Sequence, residues 1–127
     1  MPDSSLPLQV AIVAALRGSP ALAPLVAGRI YDRVPDNQPQ PYVAMASWVV
    51  RNDDTDCGDA SAVSMSVLCY SDKPGRQEVG QIAGGVKDAL HRLEPDGGEV
   101  RWQDTIYSVE DGLVSQAVVR FEALLDG

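Results

Sequence analysis

Basic residues are scarce in this chain of 127 residues. Lysine occurs only at Lys73 and Lys87, ten basic residues stand against eighteen acidic ones, and the formal net charge is −8. The pI is about 4.4. A protein that neutralises phosphates needs a basic footprint, and this chain carries none, which argues against nucleic-acid binding by its overall field. The surplus of acid reads as solubility or as a surface that repels polyanion.

The groups that usually carry chemistry are just as thin. His91 is the only histidine, so any Ser-His-Asp or Cys-His arrangement would have to use it, and no Gly-x-Ser-x-Gly elbow accompanies it. It falls just off the apolar stripe of a predicted helix and reads as solvated. Cys57 and Cys69 are the only cysteines; with one histidine they are too few for a zinc site. In a chain large enough to bury its own core they fit reduced thiols better than a structural disulfide. Cys69 lies in a strand-like run and reads as a small core residue, whereas Cys57 lies in a polar loop. No glycine-rich phosphate loop follows a strand. No apolar run approaches the length of a membrane span. Residues 1–7 lack the basic start and apolar run of a signal peptide, so a soluble chain starting near Met1 is expected.

The one dense cluster of acid is "RNDDTDCGDA", with Asp53, Asp54, Asp56 and Asp59. Oxygen ligands of this kind suit calcium, but the spacing fails the EF-hand pattern. With Gly58 as the invariant glycine, Asp53 stands first, Thr55 third, Cys57 fifth and Ser64 last, with no bidentate Glu. The loop reads as solvated, or as facing a negative channel. No cofactor and no metal is expected, and a binding or structural role is favoured over an enzyme.

What the chain does have is clear periodicity. Leu8, Ala11, Ile12, Ala15 and Leu16 fall at helical spacing, with Pro7 suited to the first turn and Gly18 to the stop. "SPALAPLV" offers Ser19 as a cap for one further turn. "RIYDRV" reads as a short extended segment ended by Pro35, and Pro39 and Pro41 keep residues 36–41 irregular. "YVAMASWVV" (42–50) reads as a strand apolar on both faces, with Tyr42, Ala44, Ala46 and Trp48 pointing one way and Val43, Met45 and Val49 the other. In 61–70, Val63, Met65, Val67 and Cys69 alternate with Ser64 and Ser66.

Ser71 or Asp72 can cap a second helix, whose stripe is Val79, Ile82, Ala83, Val86, Leu90 and Leu93. Gly84 and Gly85 would let that helix pack closely on the sheet. Residues 100–109 and 113–125 form a final hairpin around Asp111-Gly112. Val119 and Phe121 share a face with Ala117 and Ala123, and Val118 and Leu124 lie on the other. The order predicts one α+β domain over 1–127: a mainly antiparallel sheet of four to five strands, with two amphipathic helices packed on one face. The two-sided strand then needs a second cover, for which a neighbouring subunit is the economical candidate.

The segment "GRIYDRVPDNQPQPYV" (28–43) is the most specific feature. Together with the preceding "LQVAIVAALRGSPALAPLVA", and with the closing "VVRFEALL", it resembles the tail-completion family of tailed phages and phage-like particles. The resemblance implies a small α+β fold similar to the lambda tail terminator. It also implies a homohexameric ring that caps the tail tube, ends tube polymerisation and joins the tail to the neck or connector. Its partners would be further copies of itself, the tail-tube protein and the neck or connector protein. DNA would pass through the lumen without specific binding, and no membrane would be involved. The protein would reside in the virion at the head–tail joint, after assembly in the host cytoplasm.

On this reading Tyr31, Arg33, Tyr42 and Trp48 are the candidate subunit or tube contacts, and Asp53, Asp54, Asp56 and Asp59 the candidate lumen-facing loop. An acidic lumen would account for the charge of −8. Two alternatives stay open: another neck or tail morphogenesis protein (head-closure, connector or tail-tube), and a small hydrolase or ligand-binding module built around a concave pocket.

Overall fold

The computed structural model describes residues 5–31, 41–52, 60–71, 73, 77–94, 98–110 and 114–126. Along the chain these form α1 (Ser5–Arg17), α2 (Ala23–Val26), β1 (Ile30–Tyr31), β2 (Tyr42–Asn52), β3 (Ala60–Ser71), α3 (Gln77–Leu90), β4 (Gly98–Glu110) and β5 (Val114–Asp126). The strands make one five-stranded sheet in the order β1-β2-β3-β5-β4. β1 runs parallel to β2 and the remaining neighbours are antiparallel. The α+β architecture read from the pattern is present, with a short third helix where "SPALAPLV" offered an extra turn. Ser19 closes the turn before that helix, its Oγ accepting from the Leu22 amide at 3.3 Å and its carbonyl from the Ala23 amide at 3.1 Å, while the N-cap of α2 itself is Leu22, with no side-chain cap bond.

All three helices lie on one side of the sheet. Val79, Ile82, Val86 and Leu90 of α3 meet Val67, Val119 and Phe121 in the core, and α1 adds Leu8, Ile12 and Leu16 against α3 and β1. Each such side chain contributes about 1.5–3 kcal/mol when fully buried. Cys69 is part of this core as a free thiol, and burial pushes it up to about 12. Gly85 serves a different contact from the one expected. A Cβ there would lie 2.8 Å from Leu22 Cδ2, so this glycine lets α3 approach the α2 turn rather than the sheet, while Gly84 has open space around it.

Two bulges set which side chains face where. Met45 pairs with Val67 and Trp48 with Met65, so three steps along β2 match two along β3. An extra residue inverts the period-2 alternation beyond it. Trp48 therefore turns to the helix-covered side with Val43 and Met45, and Val49 joins Tyr42 and Ala44 on the other. This corrects the expected grouping of Trp48 with Tyr42.

The second bulge falls between Trp102 and Asp104. There the Trp102 amide donates to His91 Nδ1 at 3.1 Å, and the indole Nε1 donates to Thr105 Oγ1 at 3.0 Å. His91 is thus half-buried and bonded, not merely solvated as its position off the stripe suggested. Of the two expected caps, Ser71 or Asp72, Ser71 closes β3 and Asp72 lies outside the described residues. The Ser71 hydroxyl donates to Glu78 Oε1 at 2.6 Å in the first turn of α3 and accepts from the Lys73 amide.

Candidate assembly surface

The segment 28–43 is tied down at both ends. Arg29 Nε donates to the Pro41 carbonyl at 2.8 Å, the Val43 amide donates to the Arg29 carbonyl, and Arg17 Nη2 donates to the Ile30 carbonyl at 3.0 Å. Parallel pairing of Ile30 with Val43 and Tyr31 with Ala44 follows. This register puts Tyr31 on the same side as Tyr42, the side of the sheet that no described element covers. The Tyr31 and Tyr42 ring centroids are 6.3 Å apart, and Tyr42 and Tyr70 are 5.0 Å apart with tilted planes. Such offset pairs contribute about 0.5–1.5 kcal/mol beyond their burial. The next row across the sheet is Ala44, Leu68, Val118 and Ile106. One end of the open face is therefore aromatic and aliphatic, with Ile106 about half exposed.

The middle of the same face is polar and satisfied internally. The Ser47 and Ser66 hydroxyls bond at 2.8 Å. Arg120 sets two guanidinium nitrogens on the two carboxylate oxygens of Asp104, the planar pairing that Arg favours. That contact holds the Asp104 carboxyl below the usual carboxylate range and raises Arg120. Arg51 donates to Ser64 Oγ at 2.9 Å and pairs with Glu122 at 3.3 Å. Ser47, Ser64, Ser66, Asp104, Arg120 and Glu122 line a depression of about 350 Å³. Each acid among its described lining residues, Asp104 and Glu122, is engaged by an arginine. Among the described residues, no group of three or more His, Cys, Asp or Glu could hold a metal ion, and no helix is long and apolar enough to cross a membrane.

A second uncovered apolar surface lies on α1. Its outer side carries Leu6, Gln9, Val10, Val13 and Ala14, ending at Arg17, along a mainly apolar groove of about 700 Å³. Leu6 is 59% and Val10 71% exposed, while Leu8, Ile12 and Leu16 on the inner side are buried.

Of the residues singled out by sequence, Tyr31 and Tyr42 come together. Trp48 lies on the far side of the sheet, where its indole Nε1 is buried with no hydrogen-bond partner among the described residues. Arg33 and the acidic cluster Asp53, Asp54, Asp56 and Asp59 lie outside the described residues. Sequence reasoning missed Tyr70, Leu68, Ile106 and the outer face of α1. The signal was present: Leu68 and Tyr70 continue the alternation that begins with Ser64 and Ser66, and Leu6, Val10 and Val13 are a second stripe at spacings of four and three.

A family model described as tail completion protein gp17 matches residues 10–126. No curated protein matches the chain. Among solved structures, a chain from the virion of a native gene transfer agent particle superposes with a TM-score of 0.83 at 24% identity, covering 94% of this chain and 95% of that one. At that identity the likeness is one of fold.

Proposed function

The chain belongs to the tail completion protein gp17 family, with a structural role in the tail of a phage or phage-like particle, and from that premise we propose that it forms a hexameric ring. The ring caps the tail tube, ends tube polymerisation and joins the tail to the neck or connector, so that the protein sits at the head–tail joint of the virion after assembly in the host cytoplasm. The observation that carries the reading is the family match over nearly the whole chain. Physics supports it: stopping a polymer needs a surface that mates with the tube and another that does not repeat it, and a ring needs a head-to-tail interface whose rotation closes. Neither task needs catalysis, and the chain acts as a structural protein, not an enzyme, with residues 1–127 as one functional domain.

Its partners are further copies of itself, the tube protein and the neck or connector protein. The aspartates at 53, 54, 56 and 59 line the lumen, where their charge keeps passing DNA from adhering. Arg33 joins Tyr31 and Tyr42 at the contact surface.

Light scattering with negative-stain imaging, alone and with purified tubes, tests the ring. A hexamer at one end of the tube is expected, and a strict monomer that also ignores tubes overturns the proposal. Locating the protein in whole particles by cryo-electron microscopy separates the alternatives: one ring at the top of the tube supports termination, and stacked rings indicate a tube protein.

A further inference from the structure

Two apolar surfaces are covered by no described element, and they lie on opposite layers of the fold. Six large hydrophobic side chains stay exposed among the described residues; Leu6 and Val10 lie on the outer side of α1, and Val49, Ile106 and Leu124 on the open face of the sheet. Only Val50 falls elsewhere. A helix apolar on its inner and outer sides alike has the pattern of a buried helix, not of a surface one. α3 shows the contrast, since its outer positions Gln77, Gln81 and Asp88 are polar and exposed.

Charge indicates the occupant. Copies of a chain of net charge −8 repel one another wherever acid meets acid, and like-charge contacts across an interface are costly. From Leu6 to Leu16, α1 has no charged residue. Two rows at the Tyr42–Ile106 end of the open face also carry no charge: Tyr42, Tyr70, Gln116, Ser108 and Ala44, Leu68, Val118, Ile106. These are the zones where two copies can meet without setting acid against acid.

Resting on the ring reading above, we infer that α1 of one copy packs across the Tyr42–Ile106 end of the open sheet face of the next. The contact is heterologous, as a closing ring requires. It covers the outer side of α1 and the Tyr42–Ile106 end of the sheet face at once and gives that end a helix on each side, while Val49 and Leu124, beyond the polar middle, stay outside the contact. The paired ions around Asp104 and Arg120 form its polar rim. A two-fold contact of α1 on α1 would leave the sheet face bare.

The test uses Val10→Asp, which spoils only the helix surface, and Ile106→Asp, which spoils only the sheet surface. Both side chains are exposed, so circular dichroism and melting should match the wild type. Under conditions in which the wild type forms rings, each variant alone should be monomeric by light scattering. An equimolar mixture should give a heterodimer and nothing larger, since one live helix surface meets one live sheet surface. A ring retained by either variant, or a mixture that stays monomeric, overturns the inference.

Cysteine pairing checks the contact independently of those variants. In a Cys57→Ser background, Val10→Cys with Ile106→Cys should form disulfides between copies within the assembled ring, and their absence there overturns the packing. A wild-type chain that never assembles, even on tubes, overturns the ring reading itself, so the two failures are distinct.

Discussion

The same strands make two very different faces. On β3, Val63, Met65, Val67 and Cys69 are sealed beneath the helices, whereas Ser64, Leu68 and Tyr70 between them remain half-exposed. The covered face is uniformly apolar and its stability is internal to the chain. The open face is divided, with ion pairs and a serine pair in the middle and aromatic and aliphatic side chains at one end. Such a face folds without a partner and leaves apolar side chains in contact with solvent. The sharpest way to break this contrast is a matched pair of substitutions. Phe121→Ala, at the centre of the covered face, should cost about 3–5 kcal/mol in denaturant unfolding. Ile106→Ser, two strands of the same sheet away from β3 on the open face, should change the stability of the free chain by no more than about 0.5 kcal/mol. Comparable losses from both would mean that the open face is part of the chain's own core.

Sequence pattern reached the covered face almost completely, because period-2 alternation in β3 and β5 and the α3 stripe point to one buried layer. It failed where one residue is inserted. The bulges at Met45–Trp48 and Trp102–Asp104 flip the alternation, and no propensity at Ala46, Ser47 or Gln103 announces them. Trp48 was therefore assigned to the face it does not occupy. The open-face patch was half legible. Tyr31 and Tyr42 stood out in the proline-rich segment, but Tyr70 and Ile106 join them only through cross-strand register, which is a tertiary fact. His91 was misread for a similar reason, since its acceptor role depends on the Trp102 amide that the second bulge places beside it.

A smaller effect probes how the helix layer is fastened to the covered face. Ser71, at the end of β3, donates to Glu78 in the first turn of α3, and that hydrogen bond, aided by Lys73 at 3.0 Å, lowers the Glu78 carboxyl from its ordinary value. A carboxyl depressed in the folded state stabilises it above the ordinary glutamate value, and this contribution is lost as pH falls through the folded value. Glu78→Gln should therefore cost about 1 kcal/mol at pH 7. The variant and the wild type should converge as the medium is acidified below the ordinary carboxylate range. A constant difference across that range, measured by urea midpoints, would show that the bond rather than the charge matters. No difference at pH 7 would remove Glu78 as the fastening.

The smallest effect tests how closely the helices themselves approach. Glycine inside a helix costs about 0.5–1 kcal/mol relative to alanine, so Gly84→Ala, with nothing within 4 Å of the new Cβ, should stabilise the chain by about that amount. Gly85→Ala gains the same propensity but sets its Cβ 2.8 Å from Leu22 Cδ2 and 3.1 Å from Leu22 Cγ. Leu22 is fully buried, so it can yield only by moving the α2 turn, and the gain should be cancelled or reversed. The two neighbouring alanines should thus differ in sign or nearly so in thermal melts. Equal stabilisation by both would mean that Leu22 gives way freely and that α2 rests on α3 without fixing it. A difference would mean that the helix layer is packed as tightly as the sheet beneath it, which leaves the outer side of α1 and the open sheet face as the surfaces where a partner can add without rearranging the chain.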